Sequence, residues 1–246
     1  MTWNVKELWR HPIKGIGAET LDNVALSAGK PVPLDRAWAI LEAGGDASPG
    51  WRSCRNFLRG AKGPSLMAVQ AKTTGDAITL THPDRPALTL PLSEDGQAAL
   101  FEWLGPIYPE ERQKPVALVP APEEGLADVP FASVSILSLA SLRALSQKAG
   151  RDLDTRRFRS NIWLDGLAPW EEFDLVGQTL CAGKARLHVV EPITRCRATE
   201  ANPKTGHRDT NILRLLEDGW GHSDFGVYAK VTTSGEICLG DDARIV

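Results

Sequence analysis

Residues 66–91 read LMAVQAKTTGDAITLTHPDRPALTLP. Three strand-like runs, 66–71, 77–81 and 87–91, are separated by turns rich in Gly, Asp and Pro. That rhythm predicts a three-stranded meander. Upstream, residues 3–10 alternate weakly and read as a strand. It ends at His11-Pro12, where proline keeps the preceding residue extended. Residues 36–42 (RAWAILE) read as a buried strand, and 43–65 as a long loop rich in Gly, Ser, Pro and Arg. Downstream, 94–104 (EDGQAALFEWL) reads as a helix with Ser93 at its N-cap, and 116–119 as a strand.

The remaining half continues in the same style. The Pro-rich, acidic stretch 120–130 is the best candidate boundary, dividing the chain into 1–120 and 121–246. Residues 134–139 lead into a helix over 139–149 closed by Gly150. Residues 161–165 and 185–190 read as strands, 209–217 as a helix capped by Asp209, and 225–232 with 235–239 as a closing hairpin. No strand–helix–strand alternation is sustained. The fold class is therefore mainly β with a few helices (α+β), a mixed β-barrel architecture rather than a doubly wound sheet. Glycine-rich nucleotide signatures are absent.

The bulk numbers exclude several classes. The chain has 246 residues, 42% hydrophobic and 24% charged, with a formal charge of -3. That balance fits a globular protein and gives no overall nucleic-acid footprint or polybasic membrane anchor. No run approaches the roughly 18 apolar residues of a membrane span. The N-terminus, MTWNVKELWRHPIKG, carries no apolar signal core. A cytoplasmic protein is expected, without membrane or nucleic-acid partners. Cys54, Cys181, Cys196 and Cys238 are scattered without a CxxC pair, which argues against a zinc finger or a disulfide framework.

Three local features carry possible chemistry. In Arg156-Arg157-Phe158-Arg159-Ser160-Asn161, an extended backbone would place Arg157 and Arg159 on one face, with Asn161 continuing it. Two guanidiniums so placed match a phosphate or carboxylate. A solvated charged edge is the alternative. In TRCRATEANPKTG, 194–206, Cys196 sits between Arg195 and Arg197, whose charge would favour the thiolate that binds soft metals. The alternative is a buried, inert thiol. In HPIKG (11–15) and LDRAW (34–38), Lys14 and Arg36 each stand at a strand–turn junction. They matter only if the fold brings them beside Arg157 and Arg159. The arginine-rich loop WRSCRNFLR, 51–59, also has two readings: a solvated loop, or cations approaching the same mouth.

Taken in order, these motifs resemble the MOSC family (molybdenum cofactor sulfurase C-terminal-like domains) with its N-terminal β-barrel domain. The resemblance rests on HPIKG, LDRAWAILE, RFRSN, TRC, NPKTG and the final FGVYAKV…GEICLGD, and covers nearly the whole chain. It implies a MOSC-type barrel with an N-terminal barrel-like lobe. It implies the molybdenum cofactor (Mo-molybdopterin), with Cys196 as the metal ligand and catalytic thiol. It implies that Lys14, Arg36, Arg157 and Arg159 hold the pterin and its phosphate, with Asn161 matching the polar end of the arginine motif. Ser138 and Ser141, in LSLASL, resemble the family's serine-bearing turn, and Arg195 flanks the ligand. The layout is similar to proteins that reduce amidoximes and other N-hydroxylated compounds. Such a reading needs a small-molecule substrate and an external electron donor, a flavin or iron–sulfur reductase, because the chain has no cysteine cluster of its own. A neighbouring acid, Asp209 or Glu200, would supply the protons. The alternatives are a cofactor or sulfur carrier without turnover, and a thiol hydrolase pairing Cys196 with His188 or His207.

Overall fold

In WNVKELWR, alternation buries Trp3 and Val5, and the next inward residue is Leu8. A register shift between Val5 and Glu7 moves the pattern by one residue. Such a bulge bends the strand and re-aims its side chains. The computed structural model describes residues 2–246. The segment just read is β1, Trp3–Arg10. It is followed by β2 (Glu19–Leu21), β3 (Asn23–Leu26), β4 (Trp38–Glu42), β5 (Gln70–Thr74), β6 (Ala77–His82) and β7 (Arg85–Pro91). Helix α1 (Gln97–Leu104) and β8 (Pro115–Pro120) complete the first half. The second half holds β9 (Val134–Ser138), α2 (Leu139–Ala149), β10 (Ile162–Asp165), β11 (Thr179–Ala182) and β12 (Ala185–Thr194). It ends with α3 (Ile212–Trp220), β13 (Asp224–Thr233), β14 (Gly235–Cys238) and β15 (Asp242–Ile245).

The strands close into a barrel in the order β10-β9-β13-β12-β11-β15-β1, with β1 returning to β10, and β2 pairs with the C-terminal end of β1 at Leu8, Trp9 and Arg10. Closure leaves no unpaired edge within the ring. Its interior is apolar: Val5, Leu8, Val134, Ile136, Ile162, Leu164, Leu187, Val189, Val227 and Ala229 are all buried. A second body contains the meander β5-β6-β7, the pair β4-β8 and α1. Its core gathers Ile13, Ile16, Ile40, Leu58, Leu66, Ile78, Leu80, Leu100 and Leu118. The expected mainly-β class is therefore observed, with three α-helices among the described residues.

Several local expectations are corrected. The run 66–71 is not one strand. Pro64 opens a 3-10 turn, Pro64–Ala68, that buries Leu66, Met67 and Ala68, and β5 starts only at Gln70. Ser93 makes no side-chain capping bond, and a short 3-10 turn precedes α1. The cap of α3 is Asn211, which accepts from the Arg214 N–H; Asp209 lies outside the helix. β13 and β14 are not hairpin mates. Both edges of β13 are taken by β12 and β9, so β14 pairs with β3. β15, which closes the barrel, had no separate sequence signal.

The boundary expected at residue 120 follows chain order. In space, β1, β2 and β3 lie with strands of the 121–246 half. The stretch 120–130 is pinned rather than loose. Leu126 is fully buried, and Trp51 Nε1 donates to the Ala127 carbonyl at 3.0 Å. The crossing from β1 back through residues 11–17 is what brings Lys14 against the C-terminal half.

Candidate functional site

A cavity of about 370 Å³ opens where the two bodies meet. Its wall carries Cys196 and six cations, Lys14, Arg36, Arg59, Arg157, Arg159 and Arg195, against a single acid, Asp128. Each cation arrives by a different local device.

Lys14 precedes Gly15, whose φ of +83° suits glycine. A Cβ there would lie 2.5 Å from the Leu58 carbonyl oxygen. Lys14 Nζ donates to the Leu126 carbonyl at 2.7 Å and to Asp128 Oδ1 at 2.5 Å. Arg36 does not lie on the strand expected for 36–42. It stands before β4 in the left-handed region, φ 51°. Asp35 pairs with its guanidinium, and Asp35 is fixed in turn by the His11 backbone N–H at 2.7 Å. Burial opposes ionisation of Asp35, but Arg36 and His11 hold its carboxyl well below the usual range. His11 stays neutral, lowered to about 3 by burial and Arg159.

The arginine motif is not extended, so the shared-face expectation fails. Thr155–Phe158 is a 3-10 turn opened by the Asp154 carboxylate, and Arg159 is left-handed at φ 48°. Arg157 and Arg159 nevertheless reach the same cavity, from the turn and from its cap. Arg157 is 2% exposed and bonds Asp209 Oδ1 at 2.6 Å and the Glu200 carbonyl at 3.2 Å. Arg159 donates to the carbonyls of Gly17, Ile13 and Ile16. Burial and the neighbouring Arg36 lower Arg159 to about 9. Left-handed non-glycine residues cost about 1–2 kcal/mol each, and two of the four among the described residues are cavity arginines.

Arg195 acts as a clamp beneath the thiol. It donates to the carbonyls of Phe158 at 2.9 Å and Phe225 at 2.7 Å. Its guanidinium lies over both rings, which stack at 4.3 Å. Burial lowers Arg195 to about 10. Cys196 is open to the cavity, yet the surrounding protein crowds water away and pushes its thiol up. Asp128 adds to that shift, while the Ala198 N–H and Arg195 act in the opposite direction. Arg195 thus favours the thiolate as the sequence suggests, but burial outweighs it. Arg197 points elsewhere, to Glu200.

Three expected residues are not brought to the cavity. Ser138 caps α2, accepting from the N–H groups of Ala140 and Ser141. Ser141 Oγ donates to Glu172 at 2.6 Å. Asn161 Oδ1 accepts from Ser135, and its amide reaches the Trp9 carbonyl. All three are buried struts behind the wall. Asp209 and Glu200 face arginines rather than the cavity. His188 and His207 do not line it either. Sequence reasoning missed Tyr228 and Asp128. It left open Cys54 and Arg59, which the arginine-rich loop had signalled; Arg59 Nη1 donates to Cys54 Sγ at 3.2 Å.

The donor set fits an anionic, sulfur-liganded group. Arg157 Nε and Arg59 Nε are buried and have no hydrogen-bond partner among the described residues. Buried donors of that kind call for an acceptor. Two half-buried arginines in one wall, Arg36 and Arg159, suit a phosphate or similar anion. The Cys196 thiol would offer such a group one soft ligand. No group of three or more His, Cys, Asp or Glu among the described residues could enclose a metal by itself.

The closed barrel presents the exposed Cys196 thiol, with Cys54 nearby, in a single cation-lined cavity. The chain belongs to the MOSC family. Residues 126–244 match the MOSC domain, and residues 2–104 the MOSC N-terminal beta barrel domain. Similar proteins include a molybdenum cofactor sulfurase of Drosophila mojavensis, 26% identical over 89% of this chain and 30% of that protein. Another, from Drosophila grimshawi, is 33% identical over 48% of this chain and 15% of its own length. The chain thus spans a third or less of the curated relatives it matches. Among solved structures, the YUAD protein of Bacillus subtilis is 13% identical with a TM-score of 0.49, covering 99% of this chain and 94% of that one. YiiM of Geobacillus stearothermophilus is 21% identical with a TM-score of 0.35, covering 46% and 53%. No helix among the described residues is long and apolar enough to cross a membrane.

Proposed function

We propose that the chain binds the molybdenum cofactor with Cys196 as the protein ligand, and reduces N-hydroxylated small molecules with electrons from an external flavin or iron–sulfur reductase. The observation that carries this reading is one cavity joining the Cys196 thiol to cations from both bodies. When bound, the cofactor would supply two-electron chemistry at its metal; the protein supplies binding, orientation and electrostatics. Arg36 and Arg159 take the phosphate, Lys14 and Arg157 line its approach, and Arg195 fixes the backbone on which Cys196 is presented.

The test is metal analysis of protein made in a molybdate-fed, cofactor-competent host, beside Cys196→Ala. Near-stoichiometric molybdenum in the wild type, lost in the variant, is the expected result. Equal molybdenum in both would remove Cys196 from the ligand role. A second reading is a cofactor or sulfur carrier without turnover, favoured by the relatives named molybdenum cofactor sulfurase. Loaded protein that exchanges cofactor but reduces no benzamidoxime with a reduced viologen dye would select it.

A further inference from the structure

The cavity wall carries four hydroxyl side chains, Ser135, Thr194, Thr199 and Tyr228. Three are committed to protein acceptors. Ser135 Oγ donates to Asn161 at 2.9 Å, Thr194 Oγ1 to Asp224 at 2.6 Å, and Thr199 Oγ1 to the Cys196 carbonyl at 3.0 Å. Tyr228 is different. It lines the same wall, and its side chain makes no hydrogen bond among the described residues.

The backbone of the residue is pinned in the barrel, and its hydroxyl has no protein partner among the described residues. Tyr228 lies on β13, with backbone partners on both sides at Glu191 and Ser135. Its ring meets Phe131 edge-on at 6.4 Å. A phenol fixed in this way brings one O–H into a site that also holds the thiol. The expected acids do not compete: Asp209 and Glu200 are turned to arginines.

Resting on the reduction reading above, we infer that Tyr228 is a catalytic residue whose Oη–H donates a hydrogen bond to the oxygen of the substrate's N–O group. In that reaction the N–O bond breaks, two electrons come from the external reductase, two protons come from solvent, and the oxygen leaves as water. Negative charge grows on the departing oxygen, so a donor already in place is worth more in the transition state than in the ground state. Burial and Asp128 push the Tyr228 phenol up to about 12, against Arg195 and Arg36. It keeps its proton, and so its donor capacity, at neutral pH.

The chain has two tyrosines, which makes a direct test simple. Protein loaded with cofactor and labelled with [ζ-13C]tyrosine gives two resonances; the one missing from Tyr228→Phe is Tyr228. Benzamidoxime is added with binding followed by calorimetry on the same sample. The expected result is a moved Tyr228 resonance and an unmoved Tyr108 resonance. In Tyr228→Phe, molybdenum content should stay the same, kcat should fall about 10- to 100-fold, and KM should stay within threefold. An unmoved Tyr228 resonance, absent binding, or an unchanged kcat overturns the inference. Should the wild type bind benzamidoxime without reducing it, the reductase reading falls. The resonance then decides Tyr228 alone: movement keeps it as a ligand contact, and no movement removes it.

Discussion

Arg36 Nη2 donates to the Arg159 carbonyl oxygen at 3.0 Å, joining two left-handed residues 123 positions apart. The bond fixes the loop before β4 against the arginine turn before β10. It also sets both guanidiniums in the cavity wall, where Arg36 disfavours the charge on Arg159 while Asp35 sustains the charge on Arg36.

Asp35 is the counterweight to that arrangement. It is buried, pairs with Arg36 and accepts from His11. Asp35→Asn keeps the shape and removes the charge. Breaking a buried pair of this kind costs about 3–5 kcal/mol. We expect a lower urea midpoint and less retained molybdenum, the second because Arg36 loses its orientation. Unchanged values for both would show that Arg36 is held by Arg159 alone.

Asp209 sets Arg157 in the same manner from the opposite side. Burial opposes its ionisation, but bonds from Arg157, Asn202 and Thr210 hold its carboxyl below the usual range. It is therefore an ionised partner rather than a proton source. Asp209→Asn should destabilise by about 1–3 kcal/mol in equilibrium unfolding. It should leave the pH profile of any reductase activity in place. A displaced acidic limb in that profile would return Asp209 to proton transfer.

The meander, the α2 cap at Gly150 and the mainly-β class were legible because each rests on local rules: turn residues, alternation and a left-handed cap. Cys196, Lys14, Arg36, Arg157, Arg159 and Arg195 were legible as types in motifs, and all six reach one cavity. How they reach it was not. Arg157 and Arg159 arrive from a 3-10 turn because Asp154 caps it, a bond that alternation cannot reveal. Ser138, Ser141 and Asn161 look like ligands in sequence, since a buried strut and a binding group share the same polar chemistry. Tyr228 sits in an ordinary strand pattern, and only barrel closure places it beside Cys196. β14 paired with β3 for the same reason, because partner choice depends on which edges remain open.

Gly15 is the tightest point between Lys14 and the arginine-rich loop. Gly15→Ala faces both a left-handed φ and the Leu58 carbonyl at 2.5 Å. The conformation alone costs about 1–2 kcal/mol, and the loop must move to relieve the contact. We expect a destabilisation larger than that figure by denaturant titration. Faster alkylation of Cys54 should accompany it as the loop carrying Arg59 shifts. Wild-type stability would mean that residues 58–60 yield freely.

Glu172 offers a pH signature separate from the cavity. It is fully buried, bonds Ser141 Oγ through Oε2, and has no partner for Oε1 among the described residues. Burial raises it to about 7, against the bond from Ser141. The folded protein therefore keeps a proton that the unfolded chain releases near 4.5. The stabilisation is complete below about 4.5, declines as pH rises, and is lost above about 7, a change on the order of 3 kcal/mol. His11 contributes the opposite slope, because the unfolded chain binds its proton near 6.5 while the fold refuses it down to about 3. The two overlap between about 4.5 and 6.5, so wild-type stability should be nearly flat there and fall between about 6.5 and 7. Glu172→Gln removes one slope and leaves the other. The difference in unfolding free energy between the two proteins, measured from pH 4 to 8, should therefore shift steadily toward the variant as pH rises. A difference independent of pH would mean that Glu172 ionises in the fold as it does in water.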